Sequence, residues 1–463
     1  MGEPEERRPE DGAPDGAALG AGGRPGAGRR PAAFGAGATR GGAGERPGAG
    51  AERGGAGEGP ATSPRGTATS PRALRVVIAP DSFKGSLTSV EVADAIAAGW
   101  LAARPGDVVE RVPLADGGAG STDALLAAGG WEARETAVHD PLGRVVDARW
   151  LADPRRGRAF VEMAEASGLA RIPVGERPGA AGRASTQGTG ELIRAALDAG
   201  FTDVVLGVGG SATTDGGAGA LVALGAVARD GRGEPVGPGG AGLATIASVD
   251  LAGLDARLAR LRIRIASDVT NPLCGPSGAA AVYGPQKGAS AREVERLDAA
   301  LARWGDVLEA AAGRDARDEP GAGAAGGTAF AFLAIRDRVG SIELVPGVAL
   351  LAEEVGLRER IVAADLVITG EGRIDAQTAF GKTALGVARI AREVGRPCVA
   401  IGGAVEPEGA AALAALGVVA VAAVTQPTTV DAAMGAGAGP VAAAAERVAR
   451  LLAVGARLAG AAR

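Results

Sequence analysis

Three lysines are the first chemistry this sequence offers. Of its 49 basic side chains only Lys84, Lys287 and Lys382 are lysine, and the other 46 are arginine. Each has a glycine beside it, Gly85, Gly288 and Gly381, within the stretches APDSFKGSL, YGPQKGAS and TGEGRIDAQTAFGKT. Lysine is a compact ammonium on a flexible stem, suited to following a moving phosphoryl group, whereas arginine is a planar fork. Glycine lets the backbone approach a ligand closely. A lysine-poor chain that puts all three in such loops is expected to use at least one on a phosphate. The plain alternative is three chance surface cations, which mostly contribute little.

Around the third lysine, Glu371 and Asp375 are oxygen donors for Mg²⁺, and Arg373 is a fork for a carboxylate or phosphate. The stretch is not a P-loop, because that pattern needs glycine where Ala376 stands. The pentapeptide DGGAG occurs twice, beginning at Asp116 and at Asp215, each time between an apolar run and a helical pattern. Its aspartates read as metal ligands, as a base, or as plain N-caps. Asp268 and Asn271 in IASDVTNPLCG are another oxygen pair at the end of an apolar run. Residues 207–212 fit G-x-G-x-x-A, which raises a dinucleotide-binding alternative without a clear acidic partner for the ribose beyond Asp230. The glycine-rich PGAGAAGGTAF at 320–330 reads equally as a phosphate nest or a flexible turn. His139 is the only histidine and Cys274 and Cys398 the only cysteines, which leaves no zinc pattern, no disulfide framework and little room for serine-hydrolase chemistry.

These residues need elements to hold them. The run at 74–79 is short and apolar, and SVEVADAIAAGWLAA after it has helical spacing. Further strands are expected near 108–112, 204–208, 263–266, 366–369, 398–401 and 418–424, with helices near 191–199, 291–312, 384–394 and 441–458. That alternation implies a doubly wound, mainly parallel, flavodoxin-like α/β domain, whose ligands sit at the carboxyl ends of the strands. Between 131 and 161 three strands succeed one another, which points to a second, α+β domain inserted into the first. The expected division is 73–130 and 288–463 for the α/β domain and 131–287 for the insertion. Residues 1–72 carry Gly, Ala, Pro, Arg and Glu with almost no large apolar side chain, and are expected to be a disordered extension. A formal net charge of −5 gives no reason to expect nucleic acid or an anionic membrane as partner. The cysteine usage fits the cytoplasm. Nothing in the sequence speaks to oligomeric state.

Seven stretches taken together carry a family resemblance: IAPDSFKGSLTSVEVADAI, PLADGGAGSTDALL, STQGTGELIRAALDAG, GVGGSATTDGGAGALVALGA, SDVTNPLCGPSGAAAVYGPQKGA, PGAGAAGG and VITGEGRIDAQTAFGKTALGVA. In this order, from about Leu74 onward, they closely resemble the bacterial glycerate kinases of the glycerate 2-kinase type. The resemblance implies phosphorylation of D-glycerate by ATP with Mg²⁺, giving 2-phosphoglycerate, in a two-domain α/β architecture. Two positions depart from the family: Ala119 stands where Glu is usual, and Gln187 where Arg or an aromatic is expected.

With that chemistry in view, the expected catalytic groups are Asp215, Asp116, Lys84, Lys287 and Lys382. Asp215 is the first choice for orienting or deprotonating the glycerate hydroxyl and Asp116 the second. Asp81, Ser82 and Arg373 are expected on the substrate, with Arg373 as clamp for its carboxylate. Gly209, Gly210, Ser211, Gly381 and Thr383 are expected around phosphate, and Asp268, Glu371 and Asp375 around the metal. Two other readings stay in view. A dinucleotide-dependent oxidoreductase would show a hydride-transfer absorbance change, and a phosphometabolite-binding protein would bind without turnover.

Overall fold

The computed structural model describes residues 72–461 except 377, 379–382 and 427. The expected extension, apart from Arg72, and the expected roles of Gly381 and Lys382 therefore lie outside the described residues.

The strands follow from short apolar runs between turns. Among the described residues the first element is β1 (Arg75–Pro80), buried at every position after the first, and the chain then enters helix Ser89–Ala103 through a capping box. There the Thr88 hydroxyl accepts from the Glu91 amide at 3.2 Å while the Glu91 carboxylate accepts from the Thr88 amide at 2.8 Å. Thr88→Ala is expected to lower stability by about 1 kcal/mol, read as a lower urea midpoint at unchanged slope. Then come β2 (Val108–Arg111), β3 (Glu132–His139), β4 (Val145–Asp153), β5 (Arg158–Glu162), β6 (Asp203–Gly207), the hairpin β7 (Val227–Asp230) with β8 (Ile246–Asp250), β9 (Arg262–Ala266) and β10 (Ser341–Val345). The chain finishes with β11 (Leu366–Ile374), β12 (Cys398–Val405) and β13 (Val419–Ala422).

The first sheet runs β13-β12-β11-β1-β2, all parallel. In chain order that is 2-1-3-4-5, the flavodoxin-like arrangement expected from the sequence, with its switch point between β1 and β11. The second sheet runs β10-β9-β6-β5-β4-β3. It is parallel from β10 to β5 and antiparallel through β4 and β3, the succession of strands expected between 131 and 161.

Strand pairing moves the expected division at 287/288. β10 lies beside β9 in the second sheet, and Leu301, Trp304 and Phe330 from the helical segments before it are buried in that sheet's core. We propose 131–345 as the inserted segment. A five-residue strand such as SIELV carries no local mark of the sheet it will join.

The two sheets share a core. Val77, Ala79 and Val367 of the first sheet cluster with Leu151, Phe160 and Val205 of the second, and Trp131 meets Phe160 edge-on at 6.4 Å. Helix Gly347–Glu354, which follows β10, is tied to the second sheet by charge. The buried Glu354 carboxylate accepts from Arg264 at 2.9 Å and from Arg158 at 3.1 Å. The 320–330 stretch is neither nest nor loose turn. Ala325, Gly326 and Gly327 hold φ of 53°, 70° and 88°, and a Cβ on Gly326 would lie 2.0 Å from the Thr213 carbonyl oxygen. Its glycines are there for close packing on the loop that carries Asp215. No helix among the described residues is long and apolar enough to cross a membrane.

Candidate active site

The carboxyl ends of both sheets open onto one cleft of about 1470 Å³. β1 delivers Asp81, Ser82 and Lys84, the loop after β2 delivers Asp116, and the loop after β9 delivers Ser267 and Asp268. Glu371 and Arg373 come from the end of β11, and Thr383 from the start of helix Thr383–Glu393. The crevice between β1 and β11 is therefore where the acidic and basic side chains gather, as the switch-point rule requires.

Local folding fixes the lysine loop. The Asp81 amide donates to the Gly370 carbonyl at 2.8 Å, and the Phe83 amide donates to Leu87 at 2.8 Å, so that 83–87 closes as a tight turn. Gly85 takes φ +85°, and a Cβ there would lie 2.7 Å from the Met434 Cε. Lys84 then reaches Asp116, with Nζ 3.3 Å from Oδ2, while Asp116 Oδ1 accepts from the Gly118 amide at 3.0 Å. Asp116 is the main cause of an upward-shifted Lys84 ammonium; desolvation opposes it, and Asp81 and Glu371 add to it.

The carboxylates around this cation are crowded. Burial pushes the Asp81 carboxyl up, against the hydrogen bond from the Thr383 hydroxyl at 2.6 Å, and Asp116 pushes it further. The Ser82 amide donates to the other Asp81 oxygen. Asp268 is also raised, first by burial, with the Gly347 amide at 3.0 Å opposing and Asp116 adding. Glu371 is buried and accepts from the Thr378 hydroxyl at 2.5 Å. Arg373 stands at the rim already bound to Glu406, whose Oε1 accepts from Nε at 2.8 Å. The sequence offered no sign of that partner.

Among the described residues no three His, Cys, Asp or Glu side chains gather as a ready-made metal cage. Asp268 and Glu371 line the cleft, whereas Asp375 is not part of its lining. The donor set still suits Mg²⁺, which binds through one or two carboxylates together with phosphate oxygens and retained waters. The upward push of Asp116 on both Asp81 and Asp268 marks a local excess of negative charge that such an ion would relieve.

Five other expected site residues fall outside the cleft. Asp215 is 1 % exposed and its carboxylate accepts from the Thr186 amide and hydroxyl, both at 2.8 Å, and from the amides of Gly217 and Gly219. Through these bonds it braces its own loop and the start of helix Gln187–Asp198. Lys287 is equally buried, donating to the Ser211 hydroxyl at 3.0 Å and the Thr213 carbonyl at 2.6 Å. Gly209 and Gly210 pack on the first DGGAG loop, where a Cβ on Gly209 would lie 2.5 Å from Gly118 Cα, and Ser211 is occupied by Lys287. The same contacts dispose of the dinucleotide fingerprint, since Gly207 and Gly209 are used on backbone and the next helix begins only at Ala218. Of the two departures from the family, Ala119 is exposed, and Gln187 hydrogen-bonds Glu191 at 3.0 Å beside His139.

Sequence reasoning missed the apolar wall of the cleft, where Val348, Ala352, Leu357, Val387 and Ile390 stand. Apolar residues at helical spacing look like core, and nothing local distinguishes a cleft wall from a packed face.

Comparison with known proteins agrees with this geometry. The model of the glycerate kinase family matches residues 76–453. The chain is 45 % identical to the glycerate kinase of Bacillus subtilis (strain 168) over 334 residues, 72 % of this chain and 85 % of the relative. It is 44 % identical to the glycerate 2-kinase of Escherichia coli (strain K12) over 330 residues, 71 % and 85 % of the two chains. A crystal structure from Salmonella typhimurium LT2, provisionally named glycerate kinase 2, superposes with a TM-score of 0.71 at 41 % identity, covering 83 % of this chain and all of that one. With the family model spanning both sheets and the cleft between them, the chain belongs to the glycerate kinase family, and with it to the kinases.

Proposed function

We propose that this chain transfers the γ-phosphoryl group of ATP to the 2-hydroxyl of D-glycerate, giving 2-phosphoglycerate. The observation that carries this reading beyond family membership is Lys84. It is a lysine held on a glycine turn at the switch point, facing Asp81, Asp116 and Glu371 inside the cleft. Phosphoryl transfer is mostly positioning and charge stabilisation, and a mobile ammonium among carboxylates supplies both. The name of the Escherichia coli relative supports the 2-position.

Within this reading Asp116, rather than the buried Asp215, accepts the proton of the attacking hydroxyl. Its two oxygens already face the cleft through Lys84 and Gly118. Ser82 and Arg373 line the acceptor side, where Arg373 exchanges part of its contact with Glu406 for the glycerate carboxylate. Asp268 and Glu371 would hold Mg²⁺, which when bound neutralises charge on the phosphate oxygens. Lys382, outside the described residues, keeps its proposed place on the phosphates through its position just before helix Thr383–Glu393.

The test is incubation with ATP, Mg²⁺ and D-glycerate, followed by enolase alone. Enolase consumes 2-phosphoglycerate directly, whereas the 3-phosphate first needs a mutase. Immediate phosphoenolpyruvate is the expected result. ATP consumption with enolase silent would move the acceptor to the 3-hydroxyl, and no glycerate-dependent consumption would overturn the reading.

A further inference from the structure

The two DGGAG loops spend identical aspartates differently, and part of the difference lies in a buried acid outside the cleft, Glu162. In the second copy Asp215 accepts from the Gly217 amide with one oxygen and from the Gly219 amide with the other, at 3.2 and 3.3 Å. In the first copy the matching amides are those of Gly118 and Gly120. Asp116 takes Gly118 with Oδ1 at 3.0 Å, but Gly120 donates to Glu162 Oε1 instead, also at 3.0 Å. Asp116 Oδ2 is thereby left for Lys84, 3.3 Å away in the cleft.

Glu162 reaches this loop from the other sheet. It is the last residue of β5, pairs in register with Gly207 of β6 and is 3 % exposed. Its second oxygen accepts from the Thr122 amide at 2.8 Å. Helix Ser121–Ala128 cannot supply these acceptors itself, because its N-cap is Gly120, at φ +93°, with no side chain to turn back on the first turn. A carboxylate at that place is favoured by the helix dipole and takes charge-assisted hydrogen bonds, which oppose the cost of its burial. Burial pushes the Glu162 carboxyl up, and the Thr122 and Gly120 amides pull the other way. From Gly120 the bonds run on to Asp116. The Ser121 hydroxyl and amide both donate to the Gly118 carbonyl, at 2.6 and 3.2 Å, and the Gly118 amide holds Asp116.

We infer that Glu162 is a positioning residue for the reaction: by taking the Gly120 and Thr122 amides it keeps Asp116 turned into the cleft beside Lys84, instead of folded back on its own loop as Asp215 is. Glu162 is not part of the cleft lining, so it acts through Asp116 and not on substrate. Without it the Gly120 amide loses its acceptor, and Asp116 Oδ2 can take that amide in the way that Asp215 Oδ2 takes Gly219, leaving Lys84.

The inference rests on the reading of Asp116 as proton acceptor, and the experiment separates the two. The kcat and both KM values are measured for wild type, Glu162→Gln, Asp116→Asn and the double variant, each with the near-ultraviolet circular dichroism of wild type. Glutamine keeps the length of the side chain, but its NH2 group donates where the second amide needs an acceptor. Glu162→Gln is expected to lower kcat about tenfold, with KM for ATP and for D-glycerate within about threefold of wild type. Asp116→Asn alone is expected to lower kcat by about 10² or more, the usual loss with a general base. Added to it, Glu162→Gln is expected to change kcat by less than about twofold, whereas a merely structural lesion multiplies the two losses. Equal loss in both backgrounds, or wild-type kcat in Glu162→Gln, overturns the inference and leaves the role of Asp116 standing. Wild-type kcat in Asp116→Asn overturns the proton-acceptor reading and the positioning role with it. If Glu162→Gln does not fold, hydrogen exchange on the wild type decides. The Gly120 and Thr122 amides are expected to exchange as slowly as those of β1, and fast exchange, as at an uncapped helix start, overturns the inference.

Discussion

Lys84→Met is expected to lower kcat by about 10² to 10³ without lowering thermal stability. That is the usual loss when one preorganised charge donor is removed from a transition state. The side chain is 80 % exposed and its only charged contact within 4 Å among the described residues is Asp116, so it adds little to folding. Its position argues for catalysis. It stands among Asp81, Asp116 and Glu371, at the point where a transferring phosphoryl group would bring further negative charge. Methionine keeps the length of the stem and deletes the ammonium. A competing explanation is that Lys84 serves only to neutralise Asp116. Lys84→Arg decides between them: it keeps the charge beside Asp116 and would then keep kcat near wild type, whereas a role on the moving phosphoryl group leaves kcat lowered because a planar fork replaces the compact ammonium. Near-normal kcat in a folded Lys84→Met variant would remove Lys84 from the chemistry.

The parts of this architecture that were legible from sequence are those set by local pattern. The apolar runs at β1, β11, β12 and β13 and the helices between them imply a parallel sheet, and the sheet order bears that out. The strands β3, β4 and β5 are likewise visible from alternation and turns. What the pattern does not carry is partnership over long range. β10 pairs with β9 across 74 intervening residues, 267–340, most of them helix and loop, so its membership of the second sheet has no local signal.

The two DGGAG copies make the same point for the site. Their local sequences are identical through five residues, yet Asp116 lines the cleft and Asp215 is buried under four hydrogen bonds. The difference is made by Thr186, which approaches Asp215 from a helix start 29 residues earlier and has no counterpart at Asp116. The glycine-flanked lysines divide in the same way. Lys84 lines the cleft, whereas Lys287 is used inside the protein, where a lysine is rarely found and sequence gives no warning of one.

That buried lysine gives the second large effect, one of stability and pH. Desolvation holds the Lys287 ammonium down to about 7, with Asp215 opposing. The folded pKa is depressed below the unfolded value of 10.5, so between about 7 and 10.5 the unfolded chain binds a proton that the folded chain lacks. Stability must therefore rise with pH across that window, and the cost of the buried charge is present in full below it. Between pH 7 and 8.5 the wild type is expected to gain about 1.5 kcal/mol from this group, and Lys287→Met to lose that gain. The upper limit of the window is deliberate. Burial holds the Cys274 and Cys398 thiols up to about 12 from 9.0, so above pH 9 they lower stability as the unfolded thiols ionise. Both cysteines remain in the variant, and the difference between the two proteins cancels them. Methionine also leaves the Thr213 carbonyl without its lysine donor, which costs about 1–3 kcal/mol at every pH; the slope, not the absolute stability, is the readout. Urea midpoints at pH 7.0, 7.75 and 8.5 are sufficient. A wild-type slope matching that of Lys287→Met would mean that Asp215, Ser211 and the Thr213 carbonyl keep the ammonium charged throughout, and that the pair is a buried ion pair holding the loop in place.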